Sequence, residues 1–127
     1  MLISKNKIIK FVKKSIETNK TVWHESKHNN LNVLFYAGET PENIYFLKEG
    51  ILRVFIMDKQ NNVEHTIGFV FPDEMYVPVS VFNDWCPAFV GLQAIGKTNT
   101  VMGINIEDWK NLIENDDEKF RYNWWFW

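Results

Sequence analysis

Short apolar runs closed by turn residues most constrain what this 127-residue chain can fold into. The runs lie within residues 31–104, and the turn signals between them are GE at 38–39, G at 50, KQNN at 59–62 and FPDE at 71–74. Each run has the length of a strand, about four to eight residues, rather than that of a helix. About six such strands with regular turns indicate an all-β sandwich or barrel.

The region before these strands predicts a helix followed by a loop. Apolar side chains recur at helical spacing in residues 5–18, namely Ile8, Phe11, Val12 and Ile16. The first 20 residues also hold six lysines against one acid, which is typical of the solvated face of an amphipathic helix. We therefore predict an N-terminal helix within residues 1–20 and a loop or frayed helix end over residues 19–30.

The region after the strands predicts short helices. Asn105 is a suitable N-cap, and Trp109, Leu112 and Ile113 supply the inward face of the helix that follows. The sequence thus predicts a single domain in which a β-region, residues 31–104, precedes a C-terminal helical segment, residues 105–127.

Composition and charge exclude several classes of function. The net charge of −2 gives no general attraction for nucleic acid. No apolar run approaches the roughly 18 residues of a membrane span, so no membrane contact is expected. The single cysteine, Cys86, excludes an internal disulfide and an iron–sulfur cluster held by several cysteines, and it fits a cytoplasmic protein.

Residues 24–28 match the H-E-x-x-H pattern of zinc hydrolases. On a helix, this spacing places two imidazoles one turn apart, where they bind zinc beside a general base. An Asn pair that favours a turn follows directly, a lysine lies between the ligands, and no third ligand is evident. We therefore predict no catalytic residues, no metal and no cofactor, with a zinc-dependent hydrolase through His24, Glu25 and His28 as an alternative.

Four motifs follow one another along the strand region. They are Gly38-Glu39, Ile44-Tyr45-Phe46, Lys48-Glu49-Gly50 and Pro72-Asp73. With the flanking helices, their order over residues 31–115 resembles the cyclic-nucleotide-binding-like β-roll of the Crp/Fnr family. The resemblance implies a mainly β fold, a double-stranded β-helix or jelly roll of cupin-like shape. It also implies an effector-sensing domain of a bacterial transcriptional regulator.

One departure from the family pattern concerns the ligand. Family members that bind cyclic nucleotides use a glutamate for the ribose and an arginine for the cyclic phosphate, and the resemblance places these positions at Pro78 and Ala88. Residues 76–95 contain no Arg, Lys or Glu. Burying a phosphate anion without a paired cation is unfavourable by several kcal/mol, so we expect no cAMP binding by the family's usual mode.

The same segment is apolar and aromatic, which suits a small apolar or aromatic effector. Its pocket candidates are Tyr76, Val79, Ser80, Phe82, Trp85, Ala88 and Phe89, with the serine as a polar handle. The alternative is that these side chains only fill the roll, which makes the domain an interaction and dimerisation module without a ligand.

The second departure is the end of the sequence. Regulators of this family continue through a long dimer helix into a helix-turn-helix, so we expect DNA binding only through a C-terminal domain that this chain does not include. Adjacent residues on a helix point about 100° apart. The final aromatic residues therefore cannot share one face, and we predict a homodimer interface at Trp124, Trp125, Phe126 and Trp127.

Overall fold

The structure, a computed structural model, describes residues 5–81, 83 and 86–115. In that part, helix α1 (Lys5–Thr18) comes first and helix α2 (Ile106–Glu114) comes last. Between them lie β1 (Trp23–His28), β2 (Val33–Phe35), β3 (Asn43–Glu49), β4 (Leu52–Asp58), β5 (Val63–Val70), β6 (Met75–Tyr76), a 3-10 turn (Val79–Val81), β7 (Gly91–Ala94) and β8 (Asn99–Asn105). No helix of the described part is long and apolar enough to cross a membrane.

The strands form two antiparallel sheets of four strands each. The first sheet has the order β1-β8-β3-β6 and the second has the order β2-β7-β4-β5. The chain passes repeatedly from one sheet to the other, as in a jelly roll. The predicted mainly β jelly-roll fold with flanking helices is confirmed.

The outer face of the first sheet packs against both helices. Ile44, Phe46 and Ile104 project from this face into a core shared with α1 and α2. The rings of Trp23 and Trp109 meet edge to face there, with centroids 6.2 Å apart. The other face of the first sheet packs against the second sheet in a separate core, so the roll interior is closed off from the helices.

The predicted cap of the C-terminal helix is confirmed. The side chain of Asn105 accepts a hydrogen bond from the backbone N–H of Glu107 at 2.9 Å. This bond satisfies one of the N–H groups that a helix start leaves without a partner inside the helix.

The predicted loop over residues 19–30 is wrong for residues 23–28. That segment is β1, an edge strand paired with β8 along its whole length. Only Trp23 of the six residues is buried, because the outer side of the strand is solvated and its inner side lies at the open end of the roll. A strand with one buried residue shows no apolar alternation, and for this reason the pattern resembled a loop.

Simple alternation along β5 would place Val63, His65, Ile67 and Phe69 on one face, but the strand does not keep this alternation. Gly68 pairs with Val54 and Thr66 pairs with Phe55, so Ile67 is an extra residue, a β-bulge. The bulge reverses the alternation of the strand. Val63 and His65 therefore face one side of the sheet, and Phe69 faces the other.

The side chain of Asn99 joins three parts of the fold. It is 1% exposed, and its oxygen accepts from the backbone N–H groups of Ile51 and Gly96, both at 3.2 Å. Its amide nitrogen donates to the carbonyls of His28 at 3.0 Å and Gly96 at 2.6 Å. These four bonds use the hydrogen-bonding sites of the amide fully.

Glycine is required where the chain leaves β3 for β4. Gly50 has a φ of +101°, and a Cβ atom there would collide with the side-chain oxygen of Asn99. The turn predicted at Gly50 is confirmed, and both the positive φ and the close approach require glycine there.

Replacing Asn99 with alanine is expected to lower the free energy of unfolding by about 2–4 kcal/mol, because several buried backbone groups lose their partners. The exposed Asn30→Ala is the matched control and is expected to change it by less than about 0.5 kcal/mol. Urea unfolding measures both. A loss below about 1 kcal/mol for Asn99→Ala would contradict the structural role assigned to this amide.

Candidate functional site

The H-E-x-x-H motif lies on a strand. Residues four apart on a strand are separated by about 13 Å, because each residue adds about 3.3 Å. His24 and His28 are therefore too far apart to share a zinc ion, whose ligand atoms lie about 2 Å from the metal. Among the described residues, no group of three or more His, Cys, Asp or Glu is placed to hold a metal ion. This geometry removes the basis for the zinc-hydrolase alternative.

An aromatic cluster occupies the space between the two sheets. The ring of Phe35 lies nearly parallel to that of Tyr45, with centroids 6.3 Å apart, and 5.7 Å from the ring of Tyr76. Leu47 and Leu92, both fully buried, extend the same core. The interior is thus lined by apolar side chains and two phenols.

The segment that follows Tyr76 is tied to the loop before β3. The N–H of Ala88 donates to the carbonyl of Glu39 at 2.7 Å, and the N–H of Gly38 donates to the carbonyl of Ala88 at 2.8 Å. Ala88 is buried in the same core as Tyr76. Pro78 is buried at the other end of the segment, where the 3-10 turn begins.

The other pocket candidates have different positions. The hydroxyl of Ser80 is buried and donates to the carbonyl of Pro41 at 2.8 Å. Val79 is half-buried, whereas the side chain of Phe89 is 71% exposed and lies on the surface. Phe82 and Trp85 lie outside the described residues, as do the four predicted interface residues Trp124, Trp125, Phe126 and Trp127.

The structure thus brings Tyr76 and Ala88 together and separates Phe89 from them. Phe35 and Tyr45 also line the interior between the two sheets, although neither was predicted to do so from the sequence. For Tyr45 a signal was available, since it lies between two apolar residues of β3 that face the opposite side of the sheet.

Both interior phenols are neutral at physiological pH. Burial raises the pKa of Tyr45, a hydrogen bond with Asn43 acts in the opposite direction, and the nearby carboxylate of Glu39 raises the pKa further. Burial also raises the pKa of Tyr76. The interior can therefore pack against an uncharged ring and offer one or two hydroxyl groups to it.

The raised phenol pKa values predict a loss of stability at alkaline pH. A raised pKa in the folded state means that the unfolded chain loses its phenol protons first. The stabilisation is therefore complete below about pH 10 and is lost as the pH rises towards the raised pKa. The double variant Tyr45→Phe/Tyr76→Phe is expected to lose less stability than the wild type between about pH 8 and pH 11 in urea unfolding.

The exposed Tyr36→Phe is the matched control and is expected to follow the wild-type curve. Parallel curves for the wild type and the double variant would show that the interior phenols do not cause the alkaline loss.

No family model and no curated protein matches the sequence. Solved structures do match its fold. The catabolite activator protein of Thermus thermophilus aligns with a TM-score of 0.71 and 17% identity over 87% of this chain and 50% of that chain. The sensor domain of the transcriptional regulator DNR from Pseudomonas aeruginosa aligns with a TM-score of 0.71 and 9% identity over 87% of this chain and 79% of that chain.

The regulatory domain of Toxoplasma gondii PKA, solved with cAMP, aligns with a TM-score of 0.66 and 12% identity over 85% of this chain and 44% of that chain. This chain spans about half the length of the Thermus protein. At these identities the likenesses concern the fold, and they show that this chain has the β-roll fold of cyclic-nucleotide-binding domains.

Proposed function

We propose that this chain is the effector-sensing domain of a Crp/Fnr-like bacterial transcriptional regulator and is not an enzyme. The observation that carries the proposal is the aromatic cluster of Phe35, Tyr45 and Tyr76 between the sheets of a sensor-type β-roll. The effector is a small uncharged apolar or aromatic molecule, bound in the cytoplasm. Its signal passes to a DNA-binding domain beyond this chain.

The environment of Ala88 supports a ligand other than a cyclic nucleotide. This residue, at the position that the family pattern assigns to the phosphate-binding arginine, contributes a methyl group to an apolar core. The carboxylate of Glu39 acts on Tyr45 nearby. A cyclic phosphate would therefore lose its water shell beside an apolar wall and a negative charge.

Thermal unfolding with added ligands tests the proposal. A ligand at about 100 times its dissociation constant stabilises a fold by about 2.7 kcal/mol, which raises the Tm of a domain this size by roughly 10 °C. We expect no shift above about 1 °C with cAMP or cGMP at about 1 mM, and a clear shift with at least one compound from a panel of small uncharged aromatic compounds.

Tyr76→Phe keeps the ring and removes the hydroxyl, so it is expected to reduce that ligand-induced shift, whereas the exposed Tyr36→Phe is expected to preserve it. A shift of several degrees with cAMP would overturn the assignment of the ligand. A panel without any effect would contradict effector sensing itself.

A second candidate function is self-association. The described part exposes nine large hydrophobic side chains, and six of them lie on the β4–β5 hairpin or just after it: Ile56, Met57, Val63, Ile67, Phe69 and Phe71. The rings of Phe69 and Phe71 lie against each other with centroids 6.1 Å apart, and exposed apolar side chains that cluster in this way mark interaction surfaces. β5 is also an edge strand of its sheet, which leaves backbone groups for pairing with another chain. We therefore propose a homodimer to which this hairpin contributes.

Sedimentation at about 100 µM is expected to show a dimer, and Ile67→Lys/Phe69→Lys is expected to weaken the association at least about 10-fold. Phe89→Lys is the matched control, because this exposed phenylalanine is not part of the hairpin. Truncation of residues 116–127 tests the predicted aromatic interface separately. A monomeric wild-type chain, or a dimer that survives the hairpin substitutions unchanged, would refute the role of the hairpin.

A further inference from the structure

A groove opens at the end of the roll formed by β1, away from the segment that joins β6 and β7. Its volume is about 250 Å³, and β2 closes its far side. Its floor is Gly103, one wall carries His24, Ser26 and His28, and the other carries Asn43 and Tyr45. The groove therefore joins residues from three neighbouring strands of the first sheet that are distant in the sequence.

The missing side chain of Gly103 makes a slot between two rings. His24, Gly103 and Tyr45 lie side by side on β1, β8 and β3. Adjacent strands are about 4.8 Å apart, so the two outer side chains start about 9.6 Å apart with none between them. A flat ring between two surfaces needs about 7–8 Å, at about 3.5–4 Å of contact distance on each side. The slot thus has the width of one planar ligand.

The ring of Tyr45 is one wall of this slot. The three atoms nearest to a Cβ on Gly103 would be two carbons of that ring, both at 3.8 Å, and the backbone oxygen of His24 at 3.9 Å. The tyrosine ring therefore lies over the floor, and no atom of the His24 imidazole comes closer to it than these three.

Hydrogen bonds around His28 determine what the groove offers to a ligand. The side-chain oxygen of Asn32 only accepts, so Nδ1 of His28 donates to it. In the neutral ring, Nε2 then accepts from the hydroxyl of Ser26 at 2.8 Å. Ser26 consequently keeps lone pairs for another donor. The exposed imidazole of His24 supplies a donor and an acceptor. The amide of Asn43 bonds to Tyr45 and keeps its second N–H and its oxygen for a ligand.

The lining also sets the charge and size of the ligand. None of the described residues that line the groove is Lys, Arg, Asp or Glu. It therefore favours an uncharged molecule, because an ion would lose hydration without gaining a charged partner. Its volume lies below the range of about 300–1,000 Å³ that drug-sized ligands need, which limits the ligand to one or two rings.

We propose that this groove binds an uncharged heteroaromatic molecule of one or two rings. The ring stacks between His24 and Tyr45 above Gly103, and its polar edge bonds to Ser26 and Asn43. This site adjoins the interior site of the proposed function and differs from it in its other lining residues. The two sites share Tyr45, whose ring also lies against Phe35 inside the roll.

Amide NMR spectra of the ¹⁵N-labelled chain test the proposal, with nicotinamide and adenine as one-ring and two-ring probes. Both are expected to shift the Gly103 and His24 signals saturably at millimolar concentration. Nicotinate, which differs from nicotinamide mainly by its negative charge, is expected to bind at least about 10-fold more weakly.

Gly103→Leu fills the slot and is expected to abolish these shifts. The added Cβ makes only ordinary contacts at that position, so the fold is expected to persist. Gly68→Leu is the matched control, because it adds the same side chain to another strand glycine with open space around it, and it is expected to preserve binding. If Gly103→Leu does not fold, Asn43→Ala replaces it and is expected to weaken binding at least about 3-fold.

Three outcomes would overturn the proposal. The first is the absence of saturable shifts up to about 10 mM probe. The second is shifts that survive Gly103→Leu or Asn43→Ala. The third is shifts that centre on Tyr76 and Ala88 rather than on Gly103, which would assign binding to the interior and support only the proposed function.

Discussion

The buried amide of Asn99 is the interaction on which the arrangement of both sheets depends. The two sheets are separate backbone ladders, and this side chain bonds the end of β1, the turn before β8 and the residue that leads into β4. Gly50 allows this approach, because any Cβ atom at that position would strike the amide. This close contact between Gly50 and Asn99 therefore sets how β3 and β4 diverge and how wide the roll interior can be.

The two proposed ligand sites lie side by side on the inner face of the first sheet and meet at Tyr45. Tyr45 forms a wall of the end groove and also the boundary of the interior cluster. It pairs in register with Tyr76, directly before the segment that ends at Ala88. A ligand that moves the ring of Tyr45 in either site would therefore press on the same two strands, β3 and β6. In the proposed sensing role, the shared ring would provide a short physical route between the open end and the interior.

Local patterns predicted those elements whose own sequence carries a periodicity. Helix α1, the cap at Asn105 and the turn at Gly50 were found because spacing, cap chemistry and glycine each act over a few residues. Strand β1 was missed because only one of its side chains is buried. The bulge at Ile67 was missed because it arises from the pairing of β5 with β4, which the sequence of β5 alone does not encode.

The sequence by itself determined that this chain has a mainly β fold with flanking helices and that residues 76–95 contribute no arginine, lysine or glutamate. These properties depend on residue type and local order. Only the tertiary structure decided that the two histidines of the H-E-x-x-H motif lie on a strand, and that Gly103 stands between His24 and Tyr45. It did so because strand pairing joins residues that are far apart along the chain, and no local pattern contains that information.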